Sequence, residues 1–274
     1  LYEPVDKSSL LYYKEAVDGQ ILEEGITEAG SMSSFIAAGT SYATSDINMI
    51  PFYFFYSMFG FQRIGDLIWA AGDIQARGFL LGATAGRTTL AGEGLQHQDG
   101  HSHILAYPNP SVQAYDPAFA YELAVIVRQG LHRMLENGEN LVYYLTIMNE
   151  FYTMPAMPKG VEEGILKGIY KFRACARTSA PYKAHLLGSG AILNEALQAQ
   201  EILDTQFGVA ADVWSVTSYK NLYIDAIETE RRNLLNPEKK PKACYLQKQI
   251  ANEKGVFIAA SDYIKALPSS IAKY

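Results

Sequence analysis

Glu93 and His97 stand four residues apart in the stretch GEGLQHQDGHSH, which runs from Gly92 to His103 and also carries Asp99, His101 and His103. Histidine titrates near neutrality, and a carboxylate beside it can orient its ring and share its proton. The pair therefore has the residue types of a general acid/base site. His97, Asp99, His101 and His103 also alternate along the chain. On a strand they would share one face, and imidazole with carboxylate suits zinc or a similar ion. A third reading is a polar turn in which Asp99-Gly100 reverses the chain and the histidines bond to backbone. The residues by themselves leave the three open. His132 and His185 fall in other segments and read as local structural histidines.

Two further places could do chemistry. Glu28, in EEGITEAG, precedes a helix rich in small apolar residues, where a carboxylate is favoured by the helix dipole whether or not it has another task. YSMFGFQRIGD, Tyr56 to Asp66, puts aromatics and Arg63 at a strand-to-helix crossing. Phe59 and Phe61 there can pack the core or offer a flat face to a flat ligand. GATAGRTTL, Gly82 to Leu90, is one residue short of Walker spacing and has Arg where a phosphate loop needs Lys, so it is not read as one. Cys175 and Cys244 lie far apart and form no CxxC spacing. That usage fits a reducing cytoplasm.

The elements that must hold these residues alternate between strand and helix. Expected strands are Met49–Met58, Phe79–Gly86, Ser111–Pro117, Leu141–Glu150, Lys183–Gly190, Ala210–Ser218 and Lys254–Tyr263. Expected helices are Ser31–Ser45, Gln62–Gly78, one opened by Asp116-Pro117 and running to about Glu136, Val161–Phe172, Ala191–Phe207 and 219–233. Such alternation implies right-handed βαβ units and mainly parallel sheets, so the fold class is α/β. Ligands in these folds sit at the carboxyl ends of strands. RACARTSAP breaks the pattern near 173–182, which suggests one domain over 1–175 and another over 176–274.

Composition excludes several classes of partner. A net charge of −6 argues against a nucleic-acid surface, and the one basic cluster, NPEKKPK, reads as a solvated loop. The longest apolar stretch, Met49 to Phe61, is interrupted by Pro and Gly and is shorter than the roughly 20 residues that a spanning helix needs, so no membrane is expected. LYEPVDKSS at the start shows no signal-peptide pattern.

EEGITEAG, PFYFFYSMFGFQRIGDLIWAAGDIQARGFLLGATAGRTTLAGEGLQHQDGHSH, YDPAFAYE and MPAMPKGVEEGILKGIYK together resemble the homodimeric E1 component of bacterial pyruvate dehydrogenase complexes, in the transketolase-like superfamily. The resemblance is dense from Glu23 to Phe172 and continues through LLGSGAIL and DVWSVTS. GLQHQDGHSH favours this family over transketolase itself, and the alternative is transketolase or another 2-oxo acid dehydrogenase E1. A metal-dependent hydrolase built on the His97–His103 loop is the remoter alternative. The resemblance implies two three-layer αβα domains, both incomplete in this chain. It implies thiamine diphosphate and Mg²⁺ as cofactors, with pyruvate as substrate. A second E1 subunit and a lipoyl-bearing E2 acetyltransferase are the implied partners. Glu28 would bond the aminopyrimidine ring nitrogen from an apolar cleft. Phe59 would stack on that ring with Tyr56 nearby, and Ile26 would support the bent cofactor. Arg63, Glu93 and His97 would line the channel as catalytic residues, while His101 and His103 shape the loop. The GDG motif that holds Mg²⁺ in the family is absent here. The chain thus reads as a central fragment, inactive alone.

Overall fold

β4 (Val142–Thr146) explains the first half of the molecule, because every residue in it is buried. A strand with no polar face needs cover on both sides and neighbours on both edges. It pairs in parallel with β2 (Gly78–Ala83) and β3 (Val112–Tyr115), and β1 (Phe52–Tyr56) pairs with β2, giving the order β1-β2-β4-β3. Alternation along β4 sends Val142 and Tyr144 to one face and Tyr143 and Leu145 to the other. α1 (Glu28–Gly39) and α3 (Ser57–Asp73) cover the first face with Met32, Phe35, Ile64 and Ile68. The second is covered by α5 (Ala120–Leu131), a following π turn over His132–Glu136 and α6 (Glu162–Lys167), through Val125, Ile126, Met134 and Ile165. Two short helices complete this half, α2 (Ser41–Thr44) and α4 (Ser102–Leu105).

The computed structural model describes residues 17–88, 90, 93–177 and 179–274. LYEPVDKSS, at the start of the chain, and Gly92, the first residue of the histidine-rich stretch, lie outside the described residues.

A second sheet has the order β5-β7-β6-β8, formed by β5 (Tyr170–Arg173), β6 (Lys183–Gly188), β7 (Ala210–Ser215) and β8 (Val256–Ala260). β6, β7 and β8 run parallel, and β5 is antiparallel to β7. α7 (Ile192–Phe207) packs on one face. α8 (Tyr219–Leu235), α9 (Tyr245–Ile250) and α10 (Ala266–Ser269) pack on the other. Both sheets are mainly parallel and carry helices on both faces, as the sequence predicts. No helix among the described residues is long and apolar enough to cross a membrane.

Three local expectations change. α3 begins at Ser57, directly after β1, and not at Gln62. No loop intervenes because the first helical turn lies on the edge of the sheet: a Cβ on Gly60 would fall 2.1 Å from the Phe55 ring. The helix then bends at Ile64 (φ −127°, ψ 20°) to run over the core. The helix expected over Val161–Phe172 stops at Lys167, where Gly168 takes a left-handed conformation, and the chain continues as β5. Asp116 does not cap a helix. Phe119 occupies the N-cap of α5, and Glu122 takes the N–H groups of Ala118 (2.6 Å) and Phe119 (3.2 Å).

Asp116 instead joins the halves. Its N–H donates to the Thr217 carbonyl (2.8 Å), its own carbonyl accepts from Gly190 N–H (3.1 Å), and its carboxylate accepts from Thr146 Oγ1 (2.6 Å). Lys220 Nζ, at the start of α8, donates to the carbonyls of Ala106, Asn109 and Val112 at 2.6–2.7 Å. The carboxyl ends of strands from both sheets therefore meet, and residues near one sheet can be held by the other.

Candidate active site

The site forms where β1 and β2 end side by side. Tyr56 pairs with Ala83 at the last step of their register, so the helix after β1 and the loop after β2 leave the sheet together. Tyr56, Phe59 and Arg63 follow at i, i+3 and i+7, which puts them on one face of the first turns of α3. The loop after β2 passes through Thr84, which adopts a left-handed φ of 51°, and returns in a 3₁₀ turn over Leu95–His97. Glu28 starts α1, whose N-cap Thr27 accepts from Gly30 N–H (3.3 Å).

Six of the seven residues singled out in the sequence form one continuous contact chain. Glu93 and His97 are in direct contact through Oε2 and Nδ1. The His97 ring stacks on Tyr56, with centroids 4.6 Å apart and planes 6° from parallel. It also meets the Phe59 ring edge-on at 5.3 Å. The Arg63 guanidinium lies 4.1 Å over Phe59, and its Nη1 reaches Glu28 Oε1 at 2.5 Å. Ile26, the seventh, is 97% exposed. The expected apolar cleft around Glu28 is not what its carboxylate meets. It faces a cation, because Arg63 lies one helical turn beyond Phe59 and folds back over that ring. Tyr53 donates to the Glu28 carbonyl (3.5 Å). Burial pushes the Tyr53 hydroxyl up, and the Glu28 and Glu24 carboxylates push in the same direction.

The rest of the histidine-rich stretch makes separate local contacts, and among the described residues its members do not converge on a metal position. Asp99 is buried, and its Oδ1 accepts from His101 N–H (3.0 Å) and Ser102 N–H (2.9 Å) at the start of α4. His101 contacts Gln62 on α3. His103 is buried against Thr146 Oγ1 (3.1 Å) with the Tyr263 ring edge-on at 4.8 Å. Burial pulls its pKa down to about 4.

Among the described residues, His185, Asp212 and Glu253 are the group close enough to hold an ion. Its ligand atoms are already committed. Trp214 Nε1 can only donate, and it donates to His185 Nδ1 (3.2 Å), so His185 Nε2 carries the proton and donates to the Lys254 carbonyl (3.0 Å). Lys171 and Lys183 each lie 3.0 Å from Asp212 Oδ2, and Lys171 is 2.6 Å from Glu253. Burial acts upward on Asp212, but the Cys175 N–H and the two lysines outweigh it and bring its pKa down to about 2.

Two contributors escaped the sequence reading. Gln62 was counted only as the start of a helix. Asp262, in AASDY after the last strand, bonds the backbone of Arg87 and Thr88. Its place after a parallel strand was the one local signal available.

Comparison with known proteins agrees with this architecture. Residues 1–155 match the family described as pyruvate dehydrogenase E1 component middle domain, and residues 168–274 match the transketolase-like C-terminal domain. The chain is 55% identical over 274 residues to the pyruvate dehydrogenase E1 component of Pseudomonas aeruginosa, covering 100% of this chain and 31% of that protein. It is 53% identical to the Escherichia coli K12 protein of the same name over 274 residues, covering 100% of this chain and 30% of that one. The chain thus spans about 30% of the length of these relatives. Among solved structures, transketolase from Leishmania mexicana aligns with a TM-score of 0.65 at 13% identity, over 88% of this chain and 31% of that one. A split-gene transketolase, titled an inactive beta4 tetramer, aligns with a TM-score of 0.53 at 15% identity, over 91% of this chain and 78% of that one. These likenesses establish the fold, and the family match over more than half the chain establishes membership: the chain belongs to the pyruvate dehydrogenase E1 component family.

Proposed function

We propose that this chain supplies the aminopyrimidine-side residues of a thiamine-diphosphate-dependent E1 enzyme. That enzyme decarboxylates pyruvate and passes the two-carbon unit to the lipoyl group of an E2 partner. The carrying observation is the contact chain from Glu93 through His97, Tyr56, Phe59 and Arg63 to Glu28. The residues fit the cofactor's ring end. Phe59 and Tyr56 give two partly exposed aromatic rings, of which Phe59 can take a flat ring once Arg63 leaves its face, and the Glu28 carboxylate nearby is an acceptor for a ring N–H. The same residues offer nothing for a diphosphate and Mg²⁺, which this reading assigns to another domain, contributed by a second E1 subunit. The compartment is the cytoplasm.

When bound, thiamine diphosphate supplies a nucleophilic carbon and a sink for the electron pair left when CO₂ departs. Glu28 holds a proton at the aminopyrimidine ring nitrogen and fixes the ring's tautomer. Phe59 orients the ring by stacking. Arg63 stands where its guanidinium can leave Glu28 and pair with the carboxylate of a 2-oxo acid. His97, steadied by Glu93 at Nδ1, presents Nε2 to the reacting oxygen and moves a proton to or from it.

Glu28→Gln in a full-length enzyme carrying this chain tests the reading. Pyruvate decarboxylation falls by about 100-fold or more, and calorimetry shows weaker thiamine diphosphate binding. Unchanged turnover refutes the assignment. The 274-residue chain alone does not turn over pyruvate, and robust activity from it would equally overturn the shared-site reading.

A further inference from the structure

The loop that carries Glu93 and His97 is tied at both ends to one short segment of the other half of the molecule. Asp262 follows β8 and is buried. Its carboxylate accepts from Arg87 N–H (3.0 Å) and Thr88 N–H (3.2 Å) and also contacts Thr88 Oγ1. Its carbonyl accepts from Arg87 Nε (2.6 Å). Two residues on, Ile264 N–H donates to the Gly100 carbonyl (2.8 Å). The two tied points also meet each other, since Asp99 N–H donates to the Gly86 carbonyl (3.2 Å). Glu93 and His97 lie between them.

We propose that Asp262 is a positioning residue: it anchors the Gly86–Thr88 end of the loop, Ile264 anchors the Asp99–Gly100 end, and together they set where Glu93 and His97 stand. The inference rests on the catalytic reading of His97. Its physical basis is that closing a loop at both ends removes most of the conformers available between them. Catalysis is sensitive to displacements of about 1 Å in such groups. The C-terminal-like half, which contributes no residue to the contact chain, thereby controls the chemistry.

The test uses a full-length enzyme carrying this chain and a double-mutant cycle. Asp262→Ala removes the carboxylate that accepts from the N–H groups of Arg87 and Thr88 and so breaks the anchor. The expected result is a fall in kcat of about tenfold or more with little change in KM for pyruvate. In the His97→Ala background the same substitution costs nothing further, because the group it positions is gone. A merely structural role gives the same loss in both backgrounds. Equal loss in both, or no loss in either, overturns the inference while leaving the role of His97 intact. Full turnover by His97→Ala overturns the functional reading and this inference with it. If Asp262→Ala does not fold, Thr88→Val removes one donor to the anchor and must show the same non-additivity.

Discussion

The ring of His97 lies flat on that of Tyr56, 4.6 Å between centroids. Neither residue reaches the other through its own element. Tyr56 ends β1 and His97 closes a loop after β2, and the parallel pairing of those strands brings their carboxyl ends together. The same pairing sets Phe59 and Arg63 beside the loop, so damage to any one of these four is expected to show in the others.

Arg63→Ala separates function from fold. The Arg63 side chain is 49% exposed, and such a pair contributes within about 1 kcal/mol. The thermal midpoint of the full-length enzyme stays close to that of the parent. The KM for pyruvate rises about tenfold, equivalent to about 1.4 kcal/mol of lost substrate binding. A large fall in thermal midpoint with an unchanged KM would show that the arginine is structural.

Gly60→Ala has the opposite signature. The added methyl meets the Phe55 ring, which packs on Tyr144 in the core (centroids 6.2 Å apart). Either Phe55 leaves its rotamer or the first turn of α3 shifts, at a cost of about 1–3 kcal/mol. Thermal denaturation reads the loss. Because Tyr56 and Phe59 flank the shifted turn, thiamine diphosphate binding weakens in parallel.

Asp116 gives stability a pH dependence. Burial pushes its carboxyl up to about 7, with the Thr146 and Ser189 hydroxyls acting downward and Asp262 and Asp99 upward. Since an unfolded aspartate ionises near pH 4, the folded state keeps a proton that the unfolded chain has lost between about pH 4 and pH 7. The contribution of Asp116 is therefore fully present below about pH 4 and is lost as pH rises through about 7. In the variant Asp116→Asn the side-chain amide is neutral throughout, and its oxygen still accepts from Thr146. The thermal midpoint of Asp116→Asn, measured against the parent at each pH, should improve steadily from pH 5 to pH 8. The full range is a few kcal/mol, on the order of 1.4 kcal/mol for each tenfold change in proton affinity. His103, with its pKa near 4, has the opposite slope: its contribution is present above about 6.5 and lost as pH falls through about 4. That slope is common to both proteins and drops out of the difference. A flat difference would show that Asp116 is ionised in the folded state.

Added zinc tests the cluster of His185, Asp212 and Glu253, which is separate from the His97–His103 loop. Binding at His185, Asp212 and Glu253 has to break the Trp214–His185 hydrogen bond and displace two lysine ammonium groups. Equimolar zinc should leave the thermal midpoint unchanged at neutral pH. A clear rise that His185→Gln abolishes would show that the cluster is a metal site.

Much of the fold is legible because the relevant signals are local. The β-branched and aromatic run VYYLT reads as a strand, and the 3.6-residue spacing of Ile64, Leu67, Ile68 and Ala71 reads as an amphipathic helix. Misread boundaries fall where a distant contact outweighs a local preference. Asp116-Pro117 has the pattern of a helix start, yet Asp116 is claimed by Thr146, Thr217 and Gly190, and Glu122 supplies the cap in its place. Gly60 lets helix α3 begin five residues early because of Phe55, which no periodicity reveals.

The same division runs through the site. The sequence by itself determined the residue types: a carboxylate before a small-residue helix, aromatics and an arginine on one helical face, and an acid with a histidine in a glycine-rich loop. Only the tertiary structure decided who faces whom. It laid His97 on Tyr56, turned Arg63 onto Glu28, left Ile26 in solvent and fastened the loop that carries Glu93 and His97 to Asp262. Side-chain chemistry and short-range periodicity are written residue by residue, whereas contacts between chain-distant groups depend on strand order and on how the two sheets meet.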